Sequence, residues 1–248
     1  MQHLAKTQAE ALESAAQVAA RSIAEGGVVY TFGTGHSRIP VEEFFPRYGS
    51  YPGFQPLVEL SMTFHTQVVG TNGQRQAMFI ERTEGLAAEI LASYDLRPID
   101  SMFIFSVSGR NAVPVEMAMG ARDAGLSVVA ITSVQEMTSS APRHKSGTTI
   151  RNHANVLIDL GSPVGDAICT VPGLGVPVGP VSTFAAVAIV NEIKVRVAEL
   201  LAEAGAMPPV ITSEQLVGAE KSSESFELAY LEFARRWAAG LKKGTNER

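Results

Sequence analysis

Apolar residues recur at spacings of three and four along the first 23 residues, which is the period of an amphipathic helix. The Gly26-Gly27 pair stops this pattern, as glycines commonly do at a helix end. The sequence therefore predicts an N-terminal helix whose apolar face is formed by Ala5, Ala9, Leu12, Ala16, Ala19 and Ile23.

Short, continuous apolar runs follow, and segments of helical period separate them. Such runs are typical of strands buried on both faces, and their alternation with helices indicates a parallel sheet. The predicted strands are Val28 to Phe32, Ser101 to Ser106, Ser127 to Thr132 and Asn155 to Asp159. The predicted helices are Ile39 to Arg47, Glu84 to Leu91, Ala112 to Ala124, Val181 to Leu201 and Ser222 to Leu241.

Other segments carry weaker patterns. The Gly, Pro, Tyr and Phe of residues 48–56 predict a loop, residues 59–80 fit neither period, and a Gly/Pro-rich loop precedes Val181. The Pro208-Pro209 pair predicts a linker. We therefore predict one domain over residues 1–248, with an α/β core at about residues 27–205 and a C-terminal helical tail at about residues 210–248.

Two turns with unusual composition follow the first two predicted strands. The first is Gly33-Thr34-Gly35-His36-Ser37, and the second is residues 106–111, SVSGRN. Ligands of doubly wound sheets bind beyond the carboxyl ends of the strands, where free backbone N–H groups and helix ends favour an anion. Short hydroxyl side chains add donors and glycines admit a close approach. The two turns predict a phosphate cradle with little formal positive charge.

Familiar motifs with related spacing do not fit these turns. A dinucleotide-binding G-x-G-x-x-G would need glycine where Arg38 stands, and a hydrolase G-x-S-x-G would need glycine in place of Ile39. The chain also has no G-x-x-x-x-G-K-[ST] phosphate loop.

Composition narrows the class of protein further. The 248 residues carry a net charge of −5 with a pI of about 5.6, which argues against nucleic-acid binding through a broad basic face. One cysteine cannot form an internal disulfide or a cysteine-based zinc site. The N-terminus lacks the apolar run of a signal peptide, and the apolar stretch Val181 to Val190 is too short to span a bilayer. We expect a soluble, cytoplasmic protein that binds neither nucleic acid nor membrane.

The pairing of GxGxS with SxSG at successive strand ends resembles the sugar isomerase (SIS) domain. The segment SVSGRNAVPVEMAMGARDAGLSVVAIT, residues 106–132, is similar to the most typical stretch of that family. Further matches extend over roughly residues 5–240 and resemble the UPF0309 subfamily, loosely described as phosphoheptose isomerase-like: GHSRIPVEEFFPRYG, RHKSG, VLIDLGSPVGDA and GPVSTFAAVAIVNEI. The resemblance implies a flavodoxin-like three-layer α/β/α fold that binds phosphosugars.

The resemblance also assigns roles within the two turns. Ser37, Ser106 and Ser108 would hold the phosphate, and Asn111 stands where the family usually has a hydroxyl residue. The other candidates for phosphate or sugar binding are Thr34, Gly35, His36, Gly109, Arg110 and, past the fourth strand, Asp166. For Asp166 a role in the turn itself is the slightly preferred alternative.

Aldose–ketose isomerisation needs a base near the first two sugar carbons. Phosphoheptose isomerases carry a Glu-Glu pair on the helix after the first turn, and matching that pair makes Glu43 the counterpart of their base, with Glu42 second. The alternative for both is an exposed acid near a helix start. His144, in the loop RHKSG, is a further catalytic candidate, because loops frequently carry function.

The remaining histidines suggest no catalytic or metal centre. His36 lies inside the first turn, His3 is expected in solvent, and His65 and His153 are expected to be structural. Phosphoheptose isomerases bind zinc through a histidine where this chain has Ile39 and through a late histidine that it lacks. We therefore expect no metal and no cofactor.

The sequence leads to a phosphosugar-binding protein, with an aldose–ketose isomerase as the first interpretation. A non-catalytic phosphosugar sensor and a sugar-phosphate lyase or etherase remain alternatives. The resemblance implies a homodimer or homotetramer with sites near subunit interfaces. An aromatic stripe on the last helix is expected to pack on the body or on a partner subunit: Phe226, Tyr230, Phe233 and Trp237.

Overall fold

The computed structural model describes residues 2–63 and 74–242. The N-terminal segment forms two helices rather than one, α1 (Gln2–Thr7) and α2 (Ala9–Ala24), which are separated at Gln8. The C-terminal part of the predicted apolar face is buried, with Ala16, Ala19 and Ile23 almost inaccessible to solvent, whereas Ala9 is exposed and Leu12 is half-buried. This face anchors α2 against the sheet and the long helix α8 (Ser182–Glu203).

The centre of the molecule is a five-stranded sheet in which all neighbouring pairs are parallel. Its strands are β1 (Val29–Gly33), β2 (Phe54–Leu57), β3 (Ser101–Phe105), β4 (Ser127–Thr132) and β5 (Val156–Asp159). They lie in the order β2-β1-β3-β4-β5, which is the flavodoxin-like arrangement. The predicted fold class is confirmed.

Strand β2 corrects the prediction of a loop over residues 48–56. All four of its residues are buried, and Phe54 and Leu57 lie opposite Val29 and Phe32 of β1. Pro56 obscured the strand in the sequence, since proline is rare in sheets. The strand tolerates Pro56 because β2 lies at the edge of the sheet, where one side needs no backbone donor.

Helices cover both faces of the sheet. They are α3 (Arg38–Glu43), α4 (Gln74–Ile80), α5 (Leu86–Leu91), α6 (Ala112–Asp123), α7 (Val134–Thr138), α8 (Ser182–Glu203), α9 (Glu214–Val217) and α10 (Ala219–Gly240). Helix α3 ends four residues before the predicted boundary at Arg47. An antiparallel hairpin of β6 (Ala167–Cys169) and β7 (Val178–Pro180) replaces part of the predicted Gly/Pro-rich loop. Its short, mostly exposed strands lack the apolar run that signals a core strand.

Alternate residues of the strands pack into two separate cores. Phe103 and Phe105 pack with α2, α3 and α8 on one face, whereas Met102 and Ile104 pack with α5 and α6 on the other. The alternation follows from the two-residue period of a strand. This arrangement gives the three layers that the sequence resemblance implies.

The C-terminal helix α10 packs on the sheet body through part of its predicted aromatic stripe. Trp237 meets Tyr94 edge to face at 6.2 Å, and the buried Arg236 guanidinium donates hydrogen bonds to the Ile23 and Gly27 carbonyls. Phe226 and Tyr230 stack on each other but remain 40% and 49% exposed. Only the C-terminal half of the stripe therefore packs on the body. No helix in the described part of the chain has the length and apolar character needed to cross a membrane.

Candidate functional site

The first predicted turn folds back sharply on the end of β1. A Cβ on Gly33 would lie 2.3 Å from the Ser37 carbonyl oxygen, so only glycine admits this backbone approach. Residues Gly35–Ser37 form one 3-10 turn that continues into α3, and Gly35 has a φ of +57°. The turn thus brings Thr34 and Ser37 to the carboxyl edge of the sheet.

Two hydrogen bonds hold the second turn at the end of β3. The Ser106 hydroxyl accepts the Gly109 N–H at 3.1 Å, and the Gly109 carbonyl accepts the Ile150 N–H at 2.9 Å. Gly109 has a φ of +58°, and a Cβ there would lie 2.9 Å from the Thr132 hydroxyl oxygen. Because these contacts fix the turn, Ser108 and Arg110 are held at the same sheet edge as Ser37.

A cavity of about 600 Å³ lies between the two turns. Its volume is in the range of small-molecule sites, roughly 300–1,000 Å³. The structure brings together nine of the predicted site residues on its wall: Thr34, Gly35, His36, Ser37, Ser106, Ser108, Arg110, Asn111 and Asp166. Gly109 lies behind the wall and supports the second turn.

Two hydroxyls of the two turns are left for a ligand. Ser37 and Ser108 are half-buried, and no hydrogen bond within the described ranges uses either hydroxyl. Ser106 differs, because its hydroxyl already stabilises the second turn. Fixed hydroxyls without protein partners are suited to donate to the oxygens of an anion.

Glu81 joins the two turns, and the sequence analysis did not single it out. Its carboxylate accepts the Thr34 hydroxyl at 2.5 Å and the Asn111 amide N–H at 2.6 Å. Burial raises the pKa of the Glu81 carboxyl, while the Thr34 hydrogen bond and the charges of Arg82 and Arg143 oppose that rise. A carboxyl with a raised pKa on a cavity wall is a candidate proton carrier.

The wall is more charged than the sequence predicted. Arg143 donates to the Asn111 side-chain oxygen at 2.6 Å, and Arg82 also lines the cavity. Arg110 forms an ion pair with Glu136 at 3.1 Å. Guanidinium groups therefore supplement the hydroxyls and backbone groups of the two turns.

Asp166 lies on the wall but its carboxylate is occupied. It accepts the Ser182 backbone N–H at 2.8 Å and the Ser182 hydroxyl at 2.5 Å. Asp166 is the one non-glycine residue with positive φ, +60°, in the described ranges. Both features fit a side chain that holds the start of α8, which is the turn role given above as the alternative.

Glu42 and Glu43 are not brought to this cavity. Glu42 forms an ion pair with Arg38 at 3.3 Å, and Glu43 forms one with Arg47 at 3.2 Å. Glu43 lines a separate groove, where the Lys194 ammonium donates to its backbone carbonyl at 3.0 Å. A catalytic role for this pair stays a prediction that the cavity within one chain does not support.

His144 is buried behind the wall in a hydrogen-bonded clasp. Its Nε2 lies 3.1 Å from a Glu116 carboxylate oxygen and its Nδ1 lies 2.8 Å from the Ser146 hydroxyl. Glu116 also accepts the Gly85 N–H through both oxygens. This clasp fixes the loop that carries Arg143.

Potential metal-ligating atoms of Glu84, Glu116 and His144 lie within 4.8 Å of one another. Each of them already has a protein partner.

The other histidines take different positions. His36 lies on the cavity wall, and His153 Nε2 lies 2.8 Å from the Thr148 hydroxyl, which fits a structural role. His65 lies outside the described residues. The exposed Cys169 is in the β6–β7 hairpin.

Comparison with known proteins identifies the family. The model of the SIS domain matches residues 1–133, which is more than half of the chain. The chain belongs to the SIS-domain family. This membership confirms the resemblance of the two turns, both of which lie within the matched residues.

Relatives of the SIS protein extend along most of its length. A UPF0309 protein of Geobacillus kaustophilus is 34% identical over 89% of this chain and 86% of the relative. A UPF0309 protein of Streptomyces coelicolor is 34% identical over 85% of this chain and 82% of the relative. The SIS protein is therefore also a member of the UPF0309 group.

A solved phosphoheptose isomerase from Neisseria gonorrhoeae shares the fold of this SIS protein. The two structures have a TM-score of 0.50 over 80% of this chain and 90% of that chain, at 14% identity. At that identity the likeness concerns the arrangement of helices and strands alone.

Proposed function

We propose that this SIS protein binds a phosphorylated sugar in the cavity between its two turns and isomerises it between aldose and ketose forms. The observation that carries the proposal is the pair of half-buried hydroxyls, Ser37 and Ser108, on two turns at the carboxyl edge of the sheet. Backbone N–H groups of the same turns are suited to the remaining phosphate oxygens. The phosphate would then anchor the reacting end of the sugar.

We propose Glu81 as the group that moves the proton between the sugar carbons. It lines the same cavity as Ser37 and Ser108, whereas Glu43 lies in another groove. Its raised pKa brings a carboxyl closer to neutral pH, where one group can both accept and return a proton. A passive phosphosugar sensor needs no such group, which is why the enzyme is the preferred alternative.

The Thr34 and Asn111 side chains also orient the Glu81 carboxylate. Each donates to one Glu81 oxygen, so the carboxylate is held in a fixed orientation before the substrate binds. Pre-organisation of this kind lowers the cost of reaching the transition state. Proton transfer would replace or lengthen one of these two hydrogen bonds.

Self-association stays a prediction, and exposed apolar side chains support it. Phe184 and Val195 of α8 are 67% and 61% exposed, and Val176, beside β7, is 69% exposed. We infer that a second copy of the chain covers this surface, because isolated apolar patches are unfavourable in water. Such a copy could add residues to the cavity.

The test is turnover on a panel of pentose, hexose, amino-sugar and heptose phosphates, with the products of each analysed. We expect at least one isomer pair, and we expect Glu81→Gln to keep binding while losing turnover. The matched variant Glu43→Gln should retain turnover; loss in that variant alone would restore Glu43 as the base. Release of a sugar fragment would instead indicate a lyase, and no binding of any sugar phosphate would overturn the proposal.

A further inference from the structure

Three arginines that are distant in sequence meet at one end of the cavity. Arg82 follows helix α4, Arg110 lies in the second turn, and Arg143 lies in the loop after α7. The sequence predicted a cradle with little positive charge and gave only Arg110 of the three a place in it.

Only one of the three charges is paired within the structure. Arg110 is 4% exposed and forms its ion pair with Glu136. Arg82 and Arg143 form no ion pair with a carboxylate anywhere in residues 2–63 and 74–242. Arg143 instead donates to the neutral Asn111 amide oxygen. Neither guanidinium therefore has an ion-pair partner among the described residues, although the Glu81 carboxyl attracts both charges.

These like charges oppose each other. Partial burial lowers the pKa of the Arg143 guanidinium, and the nearby charges of Arg82 and Arg110 lower it further. The Glu81 and Glu136 carboxylates oppose this lowering of the Arg143 pKa only in part, since the net direction stays downward. Keeping unpaired like charges together costs free energy, and a bound anion would recover it.

Two side chains separate the first turn from Arg143. Contacts run in order from Thr34 to Glu81, from Glu81 to Asn111 and from Asn111 to Arg143. The Glu81 carboxyl thus stands between the first turn and Arg143. A phosphate that the Ser37 hydroxyl binds would therefore lie across Glu81 from the Arg143 guanidinium.

We propose that Arg143, with Arg82, binds a second anionic group, a carboxylate or a second phosphate, on the sugar phosphate held by the two turns. This inference rests on the proposed function and names its substrate class as a sugar derivative with two anionic groups. Arginine is suited to the task because its planar guanidinium donates two parallel hydrogen bonds to a carboxylate or a phosphate. The clasp at His144 keeps the neighbouring Arg143 in place.

Calorimetric titration at constant salt tests the inference with three probes. Glucose 6-phosphate carries one anionic group, 6-phosphogluconate adds a carboxylate, and fructose 1,6-bisphosphate adds a phosphate. We expect at least one two-anion probe to bind the wild type about tenfold more tightly than glucose 6-phosphate, as one charged hydrogen bond would provide. Which of the two is preferred distinguishes carboxylate from phosphate.

Arginine variants test which residue causes the tighter binding of the two-anion probe. Arg143→Gln should bring the favoured two-anion probe down to the affinity of glucose 6-phosphate and leave glucose 6-phosphate itself unchanged. Arg151→Gln removes the same charge from an exposed position outside the cavity and should bind all probes as the wild type does. Melting temperatures confirm folding, and Arg82→Gln serves the same test where Arg143→Gln does not fold.

Two results would overturn the inference and leave the proposed function standing. One is a wild type that binds glucose 6-phosphate as tightly as either two-anion probe. The other is an equal loss of all three probes in Arg143→Gln, which would place Arg143 in the phosphate cradle. A wild type that binds no sugar phosphate would overturn the proposed function and this inference together.

Discussion

The Asn111 amide donates to the Glu81 carboxylate at 2.6 Å, and this contact joins the second turn to a carboxyl that the first turn also holds. The Asn111 side-chain amide offers both a donor and an acceptor. The donor holds Glu81 and the acceptor receives Arg143 at 2.6 Å. One residue therefore contacts both the candidate acid–base group and the Arg143 guanidinium.

Glu81→Gln should change how stability depends on pH. Because burial raises the folded-state pKa of Glu81, the folded protein binds this proton more tightly than the unfolded chain does. The contribution of this proton to the free energy of unfolding of the wild type is thus complete below the unfolded pKa of about 4.3. It is lost as the pH rises through the raised pKa of the folded state. Glutamine carries no such proton linkage.

Melting temperatures of both proteins at pH 5 and pH 8 measure this effect. We expect the melting temperature of the variant to rise relative to that of the wild type as the pH increases. A difference that is the same at both pH values, or that moves in the opposite direction, would contradict the raised pKa.

Serine-to-alanine variants should separate ligand-binding hydroxyls from structural ones. Ser37→Ala and Ser108→Ala should leave the free energy of unfolding nearly unchanged, since neither hydroxyl has a partner in the described structure. Ser106→Ala should cost about 1 kcal/mol, because the Gly109 N–H then keeps only the Ser106 carbonyl of the two oxygens to which it donates. Urea denaturation checks the three values, and equal costs for all three would show that Ser37 and Ser108 have structural partners.

Gly109→Ala should destabilise the protein strongly. A φ of +58° is unfavourable for alanine, and the new Cβ would lie 2.9 Å from the Thr132 hydroxyl oxygen and 3.0 Å from an Ile150 methyl carbon. We expect a loss of about 1–3 kcal/mol from the backbone alone and more from these contacts. Gly147→Ala is the matched control, since its φ is +69° but its Cβ would meet nothing within 4 Å. Equal losses in the two variants would contradict the close packing of the second turn.

Removing the His144 clasp should loosen the Arg143 loop. His144→Ala leaves the half-buried Glu116 without one donor, and we expect a loss of about 1–3 kcal/mol in unfolding free energy. In a double-mutant cycle with Glu116→Gln, the two losses should fall short of additive by about 0.5 kcal/mol or more. Strict additivity in denaturation experiments would show that the two side chains do not support each other.

The sequence predicted the sheet better than it predicted the acid–base group. Strands β1, β3 and β4 are almost fully buried, so each shows as a continuous apolar run that needs no tertiary information, and the half-buried β5 shows a shorter one. Strand β2 was missed because Pro56 stands in it, and proline is tolerated there only because the strand is at the edge. The edge position is a property of strand order, which the local pattern does not contain.

The phosphate turns were predictable because each combines local glycine geometry with hydroxyls in one short segment. Glu81 and Arg143 were not, because each reaches the cavity only through contacts made 30 residues or more away, with Asn111. Glu81 also adjoins a segment, residues 59–80, in which no period is visible. The nearest available signal was Glu81 itself in FIERTEG, residues 79–85, where it lies between apolar Ile80 and basic Arg82.

Binding of sugar phosphates to the wild type and to the Ser37→Ala/Ser108→Ala double variant tests the central claim most directly. Calorimetry with the pentose, hexose, amino-sugar and heptose phosphates would measure both proteins at the same pH and salt. The account predicts that at least one sugar phosphate binds the wild type and that the double variant, although folded, binds it at least about tenfold more weakly. Equal affinity of the two proteins for every sugar phosphate that binds would contradict it.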